Sequence, residues 1–219
     1  MSRYKTIEYN TRVYNFVELI GELFDTKDLD KLHELTTNVY SEQFKVGMDS
    51  TTIFHNNFYD KLRSGWPELK ALYESFICGI VSRHINEDFL YQEFPTFRVH
   101  LLNNVAVGAF HNDGEFGHPA GEINFIIPLT NSDGTASIWI ESEPKKEDFE
   151  AIPMQIGSLI TFNGNELTHG NKMNTTDRTR VSMDFRVLPL SKYDENNTAE
   201  SITRKTKFKE GGYYKRFTK

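Results

Sequence analysis

The segment VAVGAFHND, Val105 to Asp113, alternates small apolar residues with other residues and ends in a His-x-Asp pair. On a β-strand, residues two positions apart point to the same face of the sheet. The segment therefore predicts a strand on which the side chains of His111 and Asp113 converge. Gly114 follows directly and predicts that the strand ends or bends there.

Two further segments downstream carry candidate functional residues. His169 lies in LTHGN, and Arg180 lies in RTRVSMDFR. Two imidazoles and one carboxylate are the ligands of an open Fe(II) site, which leaves positions free for a chelating co-substrate and O₂. A lone His-x-Asp pair is a weak signal, but the ordered combination with a later histidine and arginine is stronger. We therefore predict that His111, Asp113 and His169 bind a metal.

The segment RTRVSMDFR has strand periodicity of its own. One face would carry Arg180, Ser182, Asp184 and Arg186, and the other Val181, Met183, Phe185 and Val187. A ligand carboxylate in an enclosed site needs a charged partner, and an arginine fork with a neighbouring hydroxyl supplies one. From the residues alone, Arg178, Arg180 and Arg186 are all candidates for that partner.

Several segments between about Phe97 and Pro189 resemble a known superfamily: FRVHLLNNVAVGAFHND, GEINFIIPLT, SIWIES and HGNKMNTTDRTRVSMDFRVLP. They resemble the double-stranded β-helix core of the Fe(II)/2-oxoglutarate-dependent oxygenases, and within it the StrG-like group, which is distantly related to phytanoyl-CoA hydroxylases. The resemblance implies that His111, Asp113 and His169 are the catalytic iron ligands. It also implies that Arg180 and Ser182 anchor the distal carboxylate of 2-oxoglutarate, and that Asn124 contacts this co-substrate.

Candidate substrate contacts rest on weaker signals. The resemblance places Trp139 and Glu141 on the substrate side of the pocket. We add His118 and Asn165 as polar residues near the expected mouth. His118 could also be an additional metal ligand, but the preferred interpretation is a histidine in a solvated loop. Polar walls favour a hydrogen-bonding small molecule, such as a sugar-, amino-acid- or natural-product-derived metabolite, over an acyl chain.

The implied function is that of a dioxygenase using Fe(II), 2-oxoglutarate and O₂ to hydroxylate a C–H bond, with release of succinate and CO₂. Desaturation, cyclisation and epimerisation remain open as outcomes. A second hypothesis is a cupin-like metal-binding isomerase or a small-molecule-binding barrel without redox turnover, which has no need of Arg180. A third is a barrel interaction module without a metal.

The periodicity of the chain predicts one mainly β domain with N-terminal helices. Residues 1–95 would be helical, residues 96–190 would form a β-rich core, and residues 191–219 a basic, solvated tail. The resemblance implies that the β-rich core is a jelly-roll, cupin-like double-stranded β-helix. Apolar stripes at helical spacing run over residues 13–24 and 69–81. We expect both helices to buttress the outer face of the larger sheet.

Composition excludes several classes of function. A net charge of −6 over 219 residues argues against a general nucleic-acid or membrane-surface binder. The single cysteine, Cys78, excludes an internal disulfide framework and favours a reducing cytoplasm. Neither a leader at MSRYKTIEYN nor a membrane-spanning apolar run is expected. The sequence does not predict the oligomeric state.

Overall fold

The computed structural model describes residues 3–35, 49–106, 110–201 and 205–219. Its strands are β1 (Lys5–Glu8), β2 (Phe89–Gln92), β3 (Thr96–His100), β4 (Ile123–Pro128), β5 (Ile138–Ile140), β6 (Glu150–Ile152), β7 (Ser158–Phe162), β8 (His169–Asn171), β9 (Arg180–Pro189) and β10 (Tyr214–Phe217). Its α-helices are α1 (Phe16–Phe24), α2 (Ile53–Arg63) and α3 (Pro67–Gly79).

The long strand β9 organises the larger sheet. One edge of β9 pairs with β4, and the other edge pairs with β3 along its first half and with β2 along its second half. The sheet continues from β4 through β7 to β1, and from β2 to β10. All these pairings are antiparallel. The predicted period-two alternation of β9 is confirmed, because Val181, Met183, Phe185 and Val187 lie in the main apolar core while Arg180 and Ser182 line a pocket on the opposite face.

A smaller antiparallel sheet has the strand order β6-β5-β8. Its inward residues Ile138, Ile140 and Ile152 pack against Ile126 and Ile160 of the larger sheet. The apolar contact between the two sheets confirms the mainly β prediction. The functional pocket opens where these two sheets meet, since its walls come from both.

The helices cover the outer face of the larger sheet, as predicted. Phe16 and Ile20 of α1 and Tyr73 and Phe76 of α3 are buried in the same core as β9. Pro67 occupies the first turn of α3, where its missing N–H has no helical partner to lose. The predicted stripes therefore mark core-packing faces.

Sequence periodicity did not reveal α2. The Thr52 hydroxyl caps this helix by accepting a hydrogen bond from the His55 backbone N–H at 3.1 Å. Phe58 of α2 stacks on Phe97 of β3, with ring centroids 4.5 Å apart and planes 5° from parallel. α2 thus belongs to the layer of helices that supports the larger sheet.

Both ends of the chain contribute more to the sheet than predicted. β1 and β2 lie within the segment that was expected to be helical, and they pair with β7 and β9. The expectation of a solvated C-terminal tail is wrong, because β10 pairs with β2 and the side chains of Phe208 and Tyr214 are buried. An aromatic cluster that includes Tyr213 holds this segment against the domain.

The strand predicted for residues 105–113 does not form in its described parts. Residues 107–109 lie outside the described residues, Ala106 has φ +57°, and Asp113–Phe116 is a short 3-10 turn. Gly114, where the strand was expected to end or bend, lies inside this turn. The turn therefore positions Asp113, and a β-bridge to His169 positions His111.

The described part of the chain contains no helix that is both long and apolar enough to cross a membrane.

Candidate metal centre

Two backbone hydrogen bonds bring the candidate histidines together. The N–H of His111 donates to the carbonyl of His169 at 3.0 Å, and the N–H of His169 donates to the carbonyl of His111 at 2.9 Å. This isolated antiparallel bridge extends the smaller sheet beyond β8. The two imidazole rings consequently lie side by side, with centroids 4.8 Å apart.

Asp113 completes the cluster from the first position of the 3-10 turn. The side chain of Asn112 caps this turn by accepting the N–H of Glu115 at 3.1 Å. The N–H of Asp113 donates to the carbonyl of Gly164 at 2.8 Å. Asp113 Oδ1 lies 3.8 Å from Nε2 of His111 and 3.8 Å from Nε2 of His169.

The donor set fits a divalent metal. One ligand atom from each of the three side chains lies within 4.8 Å of the others. Neighbouring ligands of one ion, each about 2.1 Å from it, are about 3 Å apart, so a small inward movement of these side chains closes the set. A neutral imidazole pair with one carboxylate suits Fe(II) and other first-row divalent ions.

The protonation of the cluster also favours metal binding. Nδ1 of His169 donates to the carbonyl of Leu167 at 2.9 Å, which leaves the lone pair on Nε2 free. Burial lowers the pKa of His169, although the charge of Asp113 opposes this shift. Burial by itself would raise the pKa of Asp113, but Arg186 and His169 hold it well below its ordinary value. The expected state therefore has a neutral His169 imidazole beside an ionised Asp113 carboxylate.

The second oxygen of Asp113 is held by two donors on the larger sheet. Oδ2 accepts from Asn124 Nδ2 at 2.7 Å and from Arg186 Nε at 2.9 Å. Gly164 makes room for this arrangement, because a Cβ atom there would lie 2.5 Å from Asn124 Nδ2. Asn124 lines the pocket, as the predicted co-substrate contact requires, but its amide donates to Asp113.

Arg180 lines the same pocket. Its side chain is only 4% exposed, and its Nε has no hydrogen-bond partner among the described residues. Burial lowers the pKa of Arg180 to about 10, against the opposing charge of Asp49. A buried cation without a directly paired carboxylate is costly unless a ligand supplies one. Ser182, two residues along the same face, also lines the pocket.

The structure separates the three candidate arginines. Arg178 is largely exposed beside Asp177 and does not line the pocket. The guanidinium of Arg186 forms ion pairs with Asp113 and Asp184. Arg180 is the one of the three whose guanidinium faces the pocket without an ion pair to a described residue.

The pocket is narrow and has apolar side walls. Ile126, Ile138 and Phe162 line it beside the histidines. Its free volume is about 60 Å³, so a five-carbon diacid enters only if the lining side chains move apart. Cavities of about 920 and 710 Å³ lie elsewhere, and among the described residues around them no three metal-ligating side chains lie close enough together to hold one ion.

The structure does not bring the four candidate substrate residues into this pocket. Trp139 pairs with Gly170 and packs under Lys172, whose Nζ lies 3.5 Å from the ring centroid. Glu141 is buried and accepts the backbone N–H of Thr168 at 2.6 Å. Asn165 donates to the carbonyls of His118 and Pro119. These three side chains therefore make contacts within the fold. None of the four candidate substrate residues lines the pocket.

The fourth candidate, His118, belongs to a buried polar cluster that sequence analysis missed. Its Nδ1 lies 2.7 Å from Glu122, which also accepts the hydroxyl of Tyr214. Glu122 is 1% exposed, and the His118 ring lies against Phe208. The cluster ties the C-terminal segment to the loop that follows Asp113. No local pattern joins residues so far apart in sequence.

Comparison with solved structures defines the fold class. The carbocyclase SnoK of nogalamycin biosynthesis, described as non-heme and alpha-ketoglutarate-dependent, matches with a TM-score of 0.53 and 14% identity over 86% of this chain and 80% of its own. EctD from S. alaskensis with bound Fe matches with a TM-score of 0.51 and 13% identity over 89% and 75%. The chain therefore has the fold of non-haem Fe/2-oxoglutarate oxygenases, and it carries a His-Asp-His site.

Comparison of sequences gives the family. No protein-family model matches the chain. The streptomycin biosynthesis protein StrG of Streptomyces griseus is 33% identical over 214 residues, which span 98% of each chain. Because this likeness covers nearly the whole of both chains, the protein belongs to the StrG family.

Proposed function

We propose that this protein is an Fe(II)/2-oxoglutarate-dependent oxygenase that oxidises a C–H bond of a small polar metabolite, most simply by hydroxylation. The observation that carries the proposal is the position of Arg180. A buried arginine without an ion pair to a described residue shares a pocket with the His-Asp-His cluster. A metal-binding barrel without redox turnover accounts for the histidines but not for this arginine.

The residues of the pocket have distinct roles in this proposal. His111, Asp113 and His169 would hold Fe(II). Arg180 and Ser182 would bind the distal carboxylate of 2-oxoglutarate, the guanidinium by charge-assisted hydrogen bonds and the hydroxyl by a further one. With iron bound, the site would couple conversion of 2-oxoglutarate and O₂ into succinate and CO₂ to hydroxylation, one oxygen atom entering the substrate and the other succinate. Ile126, Ile138 and Phe162 would limit the access of water.

Architecture and family relationship support the proposal at different levels. Two antiparallel sheets with the site between them support the proposed double-stranded β-helix architecture. StrG is named for streptomycin biosynthesis, which supports a polar natural-product intermediate as the substrate class. Cys78, the single cysteine, is a free thiol, which supports a cytoplasmic location.

Anaerobic addition of 2-oxoglutarate to Fe(II)-loaded protein tests the proposal. Joint binding of iron and co-substrate should produce a weak visible absorption band that neither produces alone. Arg180→Gln should abolish the band at the same co-substrate concentration, whereas the exposed control Arg178→Gln should retain it. Metal binding with no response to 2-oxoglutarate in the wild type would favour the isomerase or binding-barrel hypothesis. A panel of polar metabolites, scored by succinate release, then identifies the substrate class.

A further inference from the structure

The two oxygens of Asp113 have different surroundings. Oδ1 faces the histidines, 3.8 Å from Nε2 of each. Oδ2 points to the larger sheet and accepts from Asn124 Nδ2 and Arg186 Nε. The carboxylate is 2% exposed, so water does not compete appreciably for these contacts. One oxygen is therefore available to a metal while the other is occupied by protein donors.

Arg186 is itself fixed by an alternating series of charges. Its Nη1 lies 3.3 Å from Oδ2 of Asp184, and Oδ1 of Asp184 accepts from Arg98 Nε at 2.9 Å. Nη1 of Arg98 lies 3.6 Å from Asp49. The guanidinium of Arg186 thus bridges two carboxylates, Asp113 and Asp184, from different N–H groups of one rigid plane. A compact ammonium group could not reproduce both contacts with the same geometry.

We propose that Arg186 is a positioning residue that, with Asn124, reserves Oδ2 of Asp113 and so presents this carboxylate as a one-oxygen metal ligand. The inference rests on the metal site of the proposed function. A carboxylate that binds through both oxygens fills an additional coordination position. Holding Oδ2 away keeps that position open for a chelating co-substrate or O₂, as an open facial site requires. Arg186 thus acts on the metal through Asp113, which it contacts directly.

Titration with Co(II) as the probe metal tests this role without turnover. Arg186→Lys keeps the charge but loses the fork. We expect its Co(II) affinity to fall about 10- to 100-fold, the range typical of lost supporting contacts to metal ligands. The visible spectrum of bound Co(II) should also change, because Asn124 alone then holds Oδ2 and the carboxylate can more readily bind through both oxygens. Arg178→Lys makes the same substitution at an exposed arginine outside the pocket and should bind Co(II) as the wild type does.

A second variant keeps the test decisive if Arg186→Lys fails to fold. Asp184→Asn is nearly isosteric and removes the charge that holds Nη1 of Arg186, so it should shift the Co(II) spectrum in the same direction by a smaller amount. A crystal structure of the Co(II)-loaded wild type should show Oδ1 alone on the metal and Oδ2 on Arg186. Wild-type Co(II) affinity and spectrum in folded Arg186→Lys, or both oxygens on the metal in the wild type, would overturn the inference.

The outcome is separable from that of the proposed function. Failure of 2-oxoglutarate to alter the Co(II) spectrum of the wild type would count against the oxygenase, while the Arg186 results still report on the metal ligand. Conversely, a wild-type response to 2-oxoglutarate with no effect of Arg186→Lys or Asp184→Asn leaves the oxygenase standing and removes the positioning role.

Discussion

Replacing Arg180 by methionine should make the ligand-free protein more stable and almost unable to bind 2-oxoglutarate. Methionine is unbranched like arginine but apolar, so its side chain still fills most of the space that the arginine stem occupies in the pocket wall. Arg180 is 4% exposed, and burial lowers its pKa from the ordinary arginine value to about 10. The folded state therefore holds the proton of Arg180 less firmly than the unfolded state does. This destabilisation is present at neutral pH and would be relieved only as the pH rises above about 10.

The pKa shift gives the size of the expected gain in stability. At 1.36 kcal/mol per pKa unit, the fall in the pKa of Arg180 from the ordinary arginine value to about 10 corresponds to roughly 3 kcal/mol. Lost packing by the arginine stem reduces this figure, so we expect a net gain of about 1–3 kcal/mol. For a chain of 219 residues, each kcal/mol raises Tm by about 2–4 °C. Arg180→Met should therefore raise the Tm of the metal-free protein by several degrees.

The same substitution should have the opposite effect on co-substrate binding. Removing one partner of a buried charge pair costs about 3–5 kcal/mol. Because each 1.4 kcal/mol is a factor of ten in affinity, the loss should be at least a hundredfold. Thermal unfolding of apo protein and anaerobic titration of Co(II)-loaded protein with 2-oxoglutarate measure the two effects. Arg178→Met is the matched control and should change neither. Lower apo stability together with unchanged 2-oxoglutarate affinity would refute the reasoning.

Three further predictions concern the ligands, the C-terminal segment and pH. Replacing His111, Asp113 or His169 by alanine should abolish Co(II) binding or weaken it greatly in calorimetry, whereas His118→Ala should bind normally; unchanged affinity in all three ligand variants would remove the triad assignment. Tyr214→Phe removes the hydroxyl that donates to Oε1 of the buried Glu122, although His118 still contacts Oε2, and should lower the free energy of unfolding in urea by about 1–3 kcal/mol. The half-buried control Tyr193→Phe should have a much smaller effect. Burial and the charge of Arg180 lower the pKa of His100 from 6.5 to about 3, so its contribution to stability is fully present above pH 6.5 and is lost as the pH falls toward 3. His100→Gln should flatten the acid side of the stability profile measured by urea unfolding, and an equally steep decline in this variant would argue against the role of His100.

Local periodicity was enough to predict much of the fold. The two-residue alternation over Arg180 to Val187 separates core from pocket because successive strand side chains must point to opposite faces. The apolar stripes of α1 and α3 likewise predicted buried faces, since helical residues three and four apart share one side. The residue types and order of His111, Asp113 and His169 also predicted a cluster that the structure brings together.

Long-range pairing decided the rest. The strand expected to carry His111 and Asp113 is replaced by a bridge to His169 and a capped turn, because hydrogen bonds to distant backbone groups fix those residues. Arg180 and Arg186 share one face of β9 and are equivalent by periodicity. They differ because β4 and the turn at Asp113 pack beside Arg186, whereas no described carboxylate pairs with Arg180.

The C-terminal segment shows the same division between sequence and tertiary structure. Its basic composition suggested a solvated tail. In the structure, β10 pairs with β2 at the edge of the larger sheet, and the hydroxyl of Tyr214 donates to the buried carboxylate of Glu122. Sequence alone determined which side chains share a face and which residue types were suited to hold a metal. Only the tertiary structure decided which charges meet, because the partner of a buried group is set by chain segments that pack together from far apart in the sequence.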